Sequence, residues 1–357
     1  MKKKQDIRNF TRNKLISWFE KHNLPGFRGK QVFNWLYKNY VSQFSQMKNL
    51  PDDLLELLQE NFYISNLECY DKQFSEDGTV KFLWGLADGN TIESVFLPYG
   101  KNNRYSACIS SQVGCKLGCE FCATGKQGFI RNLTAGEIVD QVLKINENIF
   151  AEETSEFKLS NIVFMGMGEP LHNFAAVLTG IKIINDQKGI NMGQRKITIS
   201  TAGVVPKIKK LADLKLQVGL AVSLNAPSDE LRSKIMPIND LYPLDDLFSA
   251  VKYYLRKTNR RVSFEYVLIK EWNDTPQHAF QLAKLLENIN CHLNLIPANP
   301  SLDLNVKPPR DKKIKKFIDI LLNSGINVTR RKRKGTDINA ACGQLKSSRK
   351  QEGTNGV

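Results

Sequence analysis

From about residue 104 onwards the chain alternates short apolar segments with amphipathic ones. Seven of the apolar segments have the length and the composition of β-strands, at 106–110, 161–165, 196–200, 217–223, 262–269, 292–296 and 327–330. Amphipathic helices are predicted between most of them, for example at 134–148, 244–257 and 311–323. Repeated strand–helix units predict an α/β fold with a parallel sheet, and about six units suit a partial (β/α)6 barrel.

Polar or glycine-rich clusters follow five of these predicted strands, at 115–122, 166–169, 200–201, 223–225 and 297–299. In folds of this kind the chemistry lies at the C-terminal ends of the strands. We therefore expect the five clusters to meet at one edge of the sheet and to form a site there.

The first cluster contains three cysteines, Cys115, Cys119 and Cys122, in the spacing C-x3-C-x2-C. Iron–sulfur clusters are held by cysteine thiolates, usually four of them. Three thiolates on a [4Fe–4S] cluster leave one iron open to a small molecule, which is the arrangement that cleaves S-adenosylmethionine reductively. A zinc site with a fourth ligand from elsewhere and purely structural cysteines remain the alternatives.

The region before this alternating pattern is predicted as a small N-terminal α+β accessory domain, residues 1–85. Helices are predicted at 13–21, at 29–40 and from Asp52, and strands at 80–86 and 91–97 flank a turn at 88–90. The catalytic core is placed at 86–346. The polar, glycine-containing tail, 347–357, is expected to be disordered.

The formal net charge of +15 favours a polyanionic partner, most simply a nucleic acid, with a solubility bias as the alternative. The cations are clustered at 330–334, at 207–210 and at 312–316. No apolar run reaches membrane-spanning length, and the basic N-terminus precedes no apolar signal region. We therefore expect a cytoplasmic monomer with no membrane partner, whose seven cysteines serve metal binding or catalysis.

Several single residues are candidates for binding or catalysis, each beside an ordinary structural explanation. Gly168 would let the backbone approach a ligand, and Glu169 would accept from an amino group, although a glycine-rich turn explains both. The residues that follow the later strands could be helix caps or turn residues instead of ligand contacts. They are Ser200, Ser223, Leu224, Asn225 and Asn299.

Two further cysteines and one carboxylate stand outside those clusters. Cys342 follows five consecutive cations, which favours the nucleophilic thiolate form, whereas burial as a small side chain is the alternative for both Cys342 and Cys108. Glu93 lies on a predicted strand, where a solvated strand face is the ordinary explanation.

Taken together, these segments resemble the radical-SAM methyltransferases that methylate adenine in RNA. The resemblance covers nearly the whole chain and rests on FRGKQVFNW (27–35), CISSQVGC (108–115), FCATG (121–125), FMGMGEPL (164–171), STAG (200–203), MPIN (236–239) and DINAACGQL (337–345). Pro170 and Pro297 match the members that methylate C2, since C8-methylating relatives typically have Ala and Arg there. Asn225 departs from the pattern, because a histidine is common at that position.

The resemblance implies one [4Fe–4S] cluster on Cys115, Cys119 and Cys122, and two molecules of S-adenosylmethionine per turnover. It implies that S-adenosylmethionine contacts the glycine, the acid and the strand-end residues, namely Gly168, Glu169, Ser200, Ser223, Leu224, Asn225 and Asn299. It also implies 2-methyladenosine as the product, in 23S rRNA at the peptidyl-transferase centre and in tRNA just 3′ of the anticodon. A flavodoxin or ferredoxin system would donate electrons.

The resemblance further implies a mechanism through the two remaining cysteines. Cys342 is methylated by a first S-adenosylmethionine, and a radical made from a second removes hydrogen from that methyl group. The resulting methylene radical adds to C2 and tethers the enzyme to RNA. Cys108 resolves the adduct, which leaves a Cys108–Cys342 disulfide to be reduced, and Glu93 is the proton acceptor. The alternatives are a C8-methylating enzyme and a non-catalytic iron–sulfur RNA sensor.

Overall fold

The computed structural model describes residues 4–99, 104–150, 157–299 and 306–346. The tail that was predicted to be disordered, 347–357, lies outside the described residues. The strands are β1 (Gln5–Asp6), β2 (Phe62–Tyr63), β3 (Glu68–Phe74), β4 (Val80–Gly85), β5 (Thr91–Tyr99), β6 (Arg104–Cys108), β7 (Gln112–Gly114), β8 (Phe129–Asn132), β9 (Asn161–Phe164), β10 (Ile197–Thr201), β11 (Gly219–Ser223), β12 (Val262–Leu268), β13 (Cys291–Pro297) and β14 (Val328–Arg330). The α-helices are α1 (Arg12–Lys21), α2 (Phe27–Tyr37), α3 (Asp52–Asn61), α4 (Ala123–Lys126), α5 (Ala135–Phe150), α6 (Phe174–Asn185), α7 (Val205–Asp213), α8 (Asp229–Ile235), α9 (Ile238–Leu241), α10 (Leu244–Thr258), α11 (Pro276–Leu286) and α12 (Asp311–Asn323).

Ten strands form one open sheet in the order β14-β13-β12-β11-β10-β9-β6-β5-β4-β3. The strands from β6 through β9 to β14 pair in parallel, and each corresponds to one of the predicted strands. The prediction of an α/β fold with a parallel, unclosed sheet is confirmed. Strands β3, β4, β5 and β6 pair antiparallel with one another in chain order. They extend the same sheet at one edge.

The predicted domain boundary at residue 85 falls on the last residue of β4, just before the turn to β5. These two strands pair antiparallel over the whole of β4, from Val80 opposite Phe96 to Gly85 opposite Thr91. The sheet therefore continues across the boundary, and the division into domains at 85 and 346 stays a prediction.

The helical segment before β3 is fastened to the core by a buried ion pair. Arg8, 1% exposed, pairs with Asp140 of α5, and its guanidinium also donates to the carbonyls of Val41 (3.2 Å) and Ser65 (2.8 Å). The Tyr37 hydroxyl of α2 donates to the Arg8 carbonyl over 3.0 Å. One charged pair thus holds three separate N-terminal segments against α5.

Helix ends in the core follow from local sequence. Helix α10 carries Asp245 and Asp246 in its first turn and Arg256 and Lys257 in its last, which complements the helix dipole. It stops at Asn259, whose φ of 52° is left-handed, a conformation that asparagine tolerates better than most residues. None of the helices in the described ranges is long and apolar enough to span a membrane.

Candidate active site

The C-terminal ends of the parallel strands surround a cavity of about 1060 Å³, part of it open to solvent. We call it the main cavity. Its walls include all five polar clusters that were predicted to meet at this edge of the sheet. They contribute Cys115, Cys119, Cys122, Gly168, Glu169, Ser200, Thr201, Ser223, Asn225, Ala298 and Asn299.

The three thiols Cys115, Cys119 and Cys122 all line the main cavity and are free. Burial raises the pKa of Cys115 to about 12 and that of Cys119 well above its ordinary value, and neighbouring thiols add to both shifts. Such thiols become thiolates when a metal centre supplies positive charge. Within the described part of the chain, no three His, Cys, Asp or Glu side chains are close enough to hold a single metal ion.

Gly168 and Glu169 form the wall beside these thiols. Gly168 has a φ of 95°, and a Cβ there would lie 2.4 Å from the Gln112 Cβ, so glycine is required. The buried Glu169 carboxylate accepts from the backbone N–H of Leu171 (3.0 Å) and of Ala202 (2.8 Å). Burial nevertheless raises its pKa to about 7. A cationic ligand group in the cavity would stabilise the ionised form.

The strand-end residues differ in how they face the cavity. Ser200 and Ser223 line it, whereas the fully buried Leu224 side chain does not. Asn225 lines it in a left-handed conformation with φ of 59°, but its amide oxygen already accepts from the Val267 N–H over 2.8 Å. Asn225 therefore has a structural role, because its side chain binds the backbone of β12.

Asn299 offers the clearest unused polar group in the cavity wall. Its amide nitrogen donates to the Cys342 carbonyl over 3.2 Å, and its buried Oδ1 has no partner among the residues that the structure describes. A buried acceptor without a donor costs free energy. A ligand N–H at this point would satisfy it, which fits an adenosine-containing cofactor.

Cys108 and Cys342 share a second cavity that adjoins the main one. Cys108 ends β6 and is 8% exposed, whereas Cys342 is exposed and lines both cavities. Burial raises the pKa of Cys108 to about 12, with a further contribution from Cys342. Two cysteines separated by more than 200 positions in the chain thus open onto one space.

Two charged residues of this site were missed as individuals by the sequence analysis. Glu265 of β12 is buried in the main cavity wall, and its Oε2 lies 3.5 Å from Nη1 of Arg331. The pKa of Arg331 is raised first by the neighbouring Cys342 thiol. A carboxylate inside the apolar strand 262–268 was the signal that could have identified Glu265.

The five cations at 330–334 are not equivalent. Arg330 pairs with Asp311 over 2.6 Å, and Arg331 turns inward to Glu265. Lys334 donates to the Pro98 carbonyl and lies over the Tyr99 ring. Lys332 and Arg333 are exposed and form no ion pair with any described carboxylate.

Glu93 lies on β5 and lines neither cavity. It is 2% exposed, so a solvated strand face is the wrong explanation for it. It pairs with Lys81 over 3.2 Å and accepts from the Lys346 backbone N–H over 2.8 Å. Burial raises its pKa above the ordinary value.

The segment that carries Cys342 docks on the loop of the three cysteines. The Ala123 N–H donates to the Gly343 carbonyl over 2.8 Å, and the Thr124 hydroxyl donates to the Leu345 carbonyl over 2.6 Å. Gly343 has a φ of 84°, and a Cβ there would lie 2.8 Å from the Phe121 carbonyl oxygen. These contacts hold residues 341–346 against the cysteine loop.

Comparison with known proteins agrees with this geometry. Residues 109–283 match the radical SAM superfamily, and residues 5–64 match the ribosomal RNA large subunit methyltransferase N-terminal domain. The chain is 46% identical over 343 residues to the probable dual-specificity RNA methyltransferase RlmN of Clostridium novyi (strain NT), covering 96% of this chain and 98% of that protein. It is 47% identical over 350 residues to the protein of the same name from Bacillus subtilis (strain 168), covering 98% and 94%. A crystal structure of a radical SAM methyltransferase from Sphaerobacter thermophilus superposes with a TM-score of 0.90 at 41% identity, covering 96% of this chain and 99% of that one.

Proposed function

Since the chain belongs to the family of the RlmN dual-specificity RNA methyltransferases, within the radical SAM superfamily, we propose that it makes 2-methyladenosine in 23S rRNA and in tRNA. It is an S-adenosylmethionine-dependent RNA methyltransferase with one [4Fe–4S] cluster, and it uses two molecules of S-adenosylmethionine per turnover. The sites in the two RNAs are the peptidyl-transferase centre and the adenine 3′ of the anticodon.

The observation that carries this proposal is the cavity shared by Cys108 and Cys342. A cluster-binding RNA sensor would need the three cluster cysteines and the cations, but it would have no use for two further thiols beside the cofactor cavity. An enzyme that attaches its own methylated cysteine to a base needs both. One thiol carries the methyl group and the other releases the product.

We assign the cluster to Cys115, Cys119 and Cys122, and the cofactor's amino group to Gly168 and Glu169. When bound, the cluster and S-adenosylmethionine supply the one-electron chemistry that generates a carbon radical. Ser200, Ser223, the backbone around Leu224, and Asn225 complete the cofactor wall, and the unpaired Oδ1 of Asn299 accepts from the cofactor.

The chain's own reacting groups are Cys342, Cys108 and Glu93. Cys342 accepts the first methyl group, and Arg331 lines the same two cavities as this thiol. The adduct radical gives up one electron, equal to the one that the donor system supplied. Cys108 then attacks the Cys342 sulfur and breaks its bond to the methylene carbon, which keeps the electron pair and takes a proton to become the new methyl group. The Cys108–Cys342 disulfide that is left must be reduced before the next turnover. Glu93 takes the proton lost from C2; its raised pKa suits a base that must hold a proton.

Pro170 and Pro297 support C2 as the methylated atom. Pro170 lines the main cavity, and Pro297 ends β13 next to Ala298 in the same wall. Proline fixes φ and removes a donor, so these two positions restrict how an extruded base is presented.

The remaining proposals concern partners and place of action. The accessory domain, residues 1–85, contacts the RNA, and a flavodoxin or ferredoxin system donates the electrons. The protein acts as a monomer in the cytoplasm, where ribosomes and tRNA are found.

The decisive experiment is anaerobic reconstitution with iron and sulfide, followed by reaction with rRNA and with tRNA. Digested nucleosides are then compared with authentic 2-methyladenosine and 8-methyladenosine by chromatography and mass spectrometry. We expect 2-methyladenosine in both RNAs. 8-Methyladenosine as the main product would contradict the assignment of C2, and no methylated adenosine with a fully loaded cluster would contradict the proposed activity.

A further inference from the structure

Arg232 of α8 is a fully buried cation just behind the wall of the main cavity. Its relative exposure is 0%. Its guanidinium donates to the carbonyls of Leu224 (3.1 Å), Ala202 (2.6 Å) and Ser223 (3.2 Å) and to the side-chain oxygen of Asn239 (2.9 Å). The three carbonyls lie at the C-terminal ends of β10 and β11, so one side chain ties together two strand ends that border the main cavity.

All four of these partners are electrically neutral. No carboxylate in the described ranges forms an ion pair with Arg232. A buried charge with neutral partners is unfavourable unless an opposite charge lies near. Burial lowers the pKa of Arg232, and the Asp229 carboxylate opposes this effect but forms no ion pair with the guanidinium, so a further negative charge nearby would stabilise the buried cation.

Asn239, in the MPIN segment, keeps the guanidinium in this neutral setting. Its amide nitrogen donates to the Asp229 carboxylate over 3.0 Å, and this fixes the amide so that the oxygen faces Arg232. The Asp229 carboxylate also accepts from the Leu244 N–H over 2.8 Å. The Asn239 side-chain amide thus lies between the Asp229 carboxylate and the Arg232 guanidinium.

The cysteine loop is the anionic site next to α8. The Glu120 N–H, directly after Cys119, donates to the Ile235 carbonyl at the end of α8 over 3.0 Å. Ala202 and Ser223, whose carbonyls accept from Arg232, line the main cavity together with Cys119. Arg232 is therefore tied to the wall of the cavity in which the three cysteines lie, and its helix is hydrogen-bonded to their loop.

We propose that Arg232 is the countercharge of the cluster and its three thiolates, and that its unpaired positive charge makes the cluster easier to reduce. The step is the transfer of one electron from a one-electron donor, a flavodoxin or ferredoxin in the cell or dithionite in vitro. It adds one negative charge to the cluster and its thiolates, and no bond forms or breaks. Arg232 stabilises the reduced state more than the oxidised state, because the reduced state is more negative. The inference rests on the proposed ligation by Cys115, Cys119 and Cys122.

Glu169 is the competing target of this charge. The Ala202 N–H donates to Glu169, and the Ala202 carbonyl accepts from Arg232, so this residue's backbone connects the two side chains. If Arg232 served Glu169, its removal would change cofactor binding and leave the cluster unaffected. The test is therefore made without S-adenosylmethionine.

The experiment is a redox titration of the reconstituted full chain, in which the reduced cluster is followed by electron paramagnetic resonance. R232Q removes the charge, and R232K keeps it with fewer hydrogen bonds. The double variant D229N/N239D exchanges a carboxylate and an amide, so the total charge is unchanged while a carboxylate now contacts Arg232. R256Q is the control, because Arg256 is exposed on α10.

For R232Q and for D229N/N239D we expect the ratio of reduced to oxidised cluster at a fixed potential to fall about tenfold, or about 59 mV for one electron. R232K and R256Q should stay within about threefold of the unaltered protein. If R232Q fails to fold, the double variant decides alone.

Unchanged ratios in R232Q or in the double variant, with iron retained, would overturn the inference. So would equal losses in R232Q and R232K, because that pattern indicates hydrogen bonding instead of charge. Failure of the unaltered protein to retain iron would overturn the proposed ligation and this inference together, so the two failures are distinguishable by iron content.

Discussion

At the scale of single residues, the site combines groups whose chemistry is set by burial. Two backbone N–H donors favour the ionised form of the Glu169 carboxyl, whereas burial favours the neutral form and raises its pKa to about 7. Asn299 holds an acceptor that nothing in the described chain satisfies. Both groups gain from a bound cofactor, so the empty cavity is less stable than the filled one.

Replacing each reacting cysteine should stop the reaction at a different stage. Cys342→Ala should bind S-adenosylmethionine but acquire no methyl group and give no 2-methyladenosine. Cys108→Ala should still methylate Cys342 and then stall as a covalent protein–RNA adduct. Mass spectrometry of the protein and denaturing gels with labelled RNA report both stages.

Cys291→Ala is the matched control, since this partly buried thiol begins β13 and lines neither cavity. It should turn over normally. Normal turnover by Cys342→Ala or Cys108→Ala would instead remove that thiol from the proposed mechanism.

Binding of S-adenosylmethionine should depend on pH through Glu169. The raised pKa means that the carboxyl binds a proton below pH about 7 and must lose it to pair with the cofactor's ammonium group. Affinity should therefore rise between pH 5.5 and pH 7, by up to about tenfold per pH unit, and level off above. Calorimetry on the cluster-loaded protein measures this rise.

Glu169→Gln cannot ionise and is nearly isosteric, so its affinity should be lower and flat over the same range. A slope in the variant equal to that of the unaltered protein would assign the pH dependence to another group.

At the scale of elements, the repeated strands and helices of the core were predictable. The β7–β8 hairpin and the contact of Arg331 with the cavity wall were not. The seven parallel strands were predictable because short apolar segments alternate with amphipathic helices along this part of the chain. The hairpin of β7 and β8, which brackets the cysteine loop, was missed because it lies outside this alternation and pairs apart from the main sheet. Arg331 was grouped with the cations that favour a nucleic-acid partner, since its contact with Glu265 joins positions far apart in the chain.

The cation run at 330–334 should bind RNA mainly through two of its members. Lys332 and Arg333 are exposed without an ion pair to a described carboxylate, whereas their neighbours are engaged. K332Q/R333Q should weaken RNA binding and reduce the slope of log affinity against log salt by about 1.4 to 1.8 for two phosphate contacts. Filter binding across salt concentrations gives the slope.

K252Q/R256Q on the exposed face of α10 removes the same charge elsewhere and should change the slope by less. If K332Q/R333Q and the control behave alike, the run acts through overall charge and makes no specific contact.

At the scale of the whole molecule, the N-terminal segments and the catalytic core share one continuous set of buried side chains. The accessory region was predictable as helices followed by a hairpin, but its attachment was not. Arg8 gives no local signal for burial, because its partner Asp140 lies 132 positions away. The burial of Arg232 was not predictable either, because three of its four hydrogen-bond partners are backbone carbonyls, which no side chain in the sequence marks.

Arg8→Ala should destabilise the whole chain, because it leaves the fully buried Asp140 unpaired. The expected loss in the free energy of unfolding is about 3–5 kcal/mol. Arg12→Ala removes a partly exposed ion pair with Asp186 and should cost less than about 1 kcal/mol. Denaturant unfolding of the cluster-free protein compares the two, and equal losses would show that the Arg8 pair is no special anchor.

The docking of residues 341–346 on the cysteine loop sets the order in which the machinery is finished during synthesis. A ribosome makes the cysteine loop and every strand of the ten-stranded sheet before it reaches Cys342. A nascent chain can therefore fold the strands that end near Gly168, Ser200 and Ser223 while Cys342, more than 100 positions later, is still inside the exit tunnel. An unfinished chain lacks the thiol that we propose attaches to adenine, so it cannot become covalently trapped on the RNA of the ribosome that is making it.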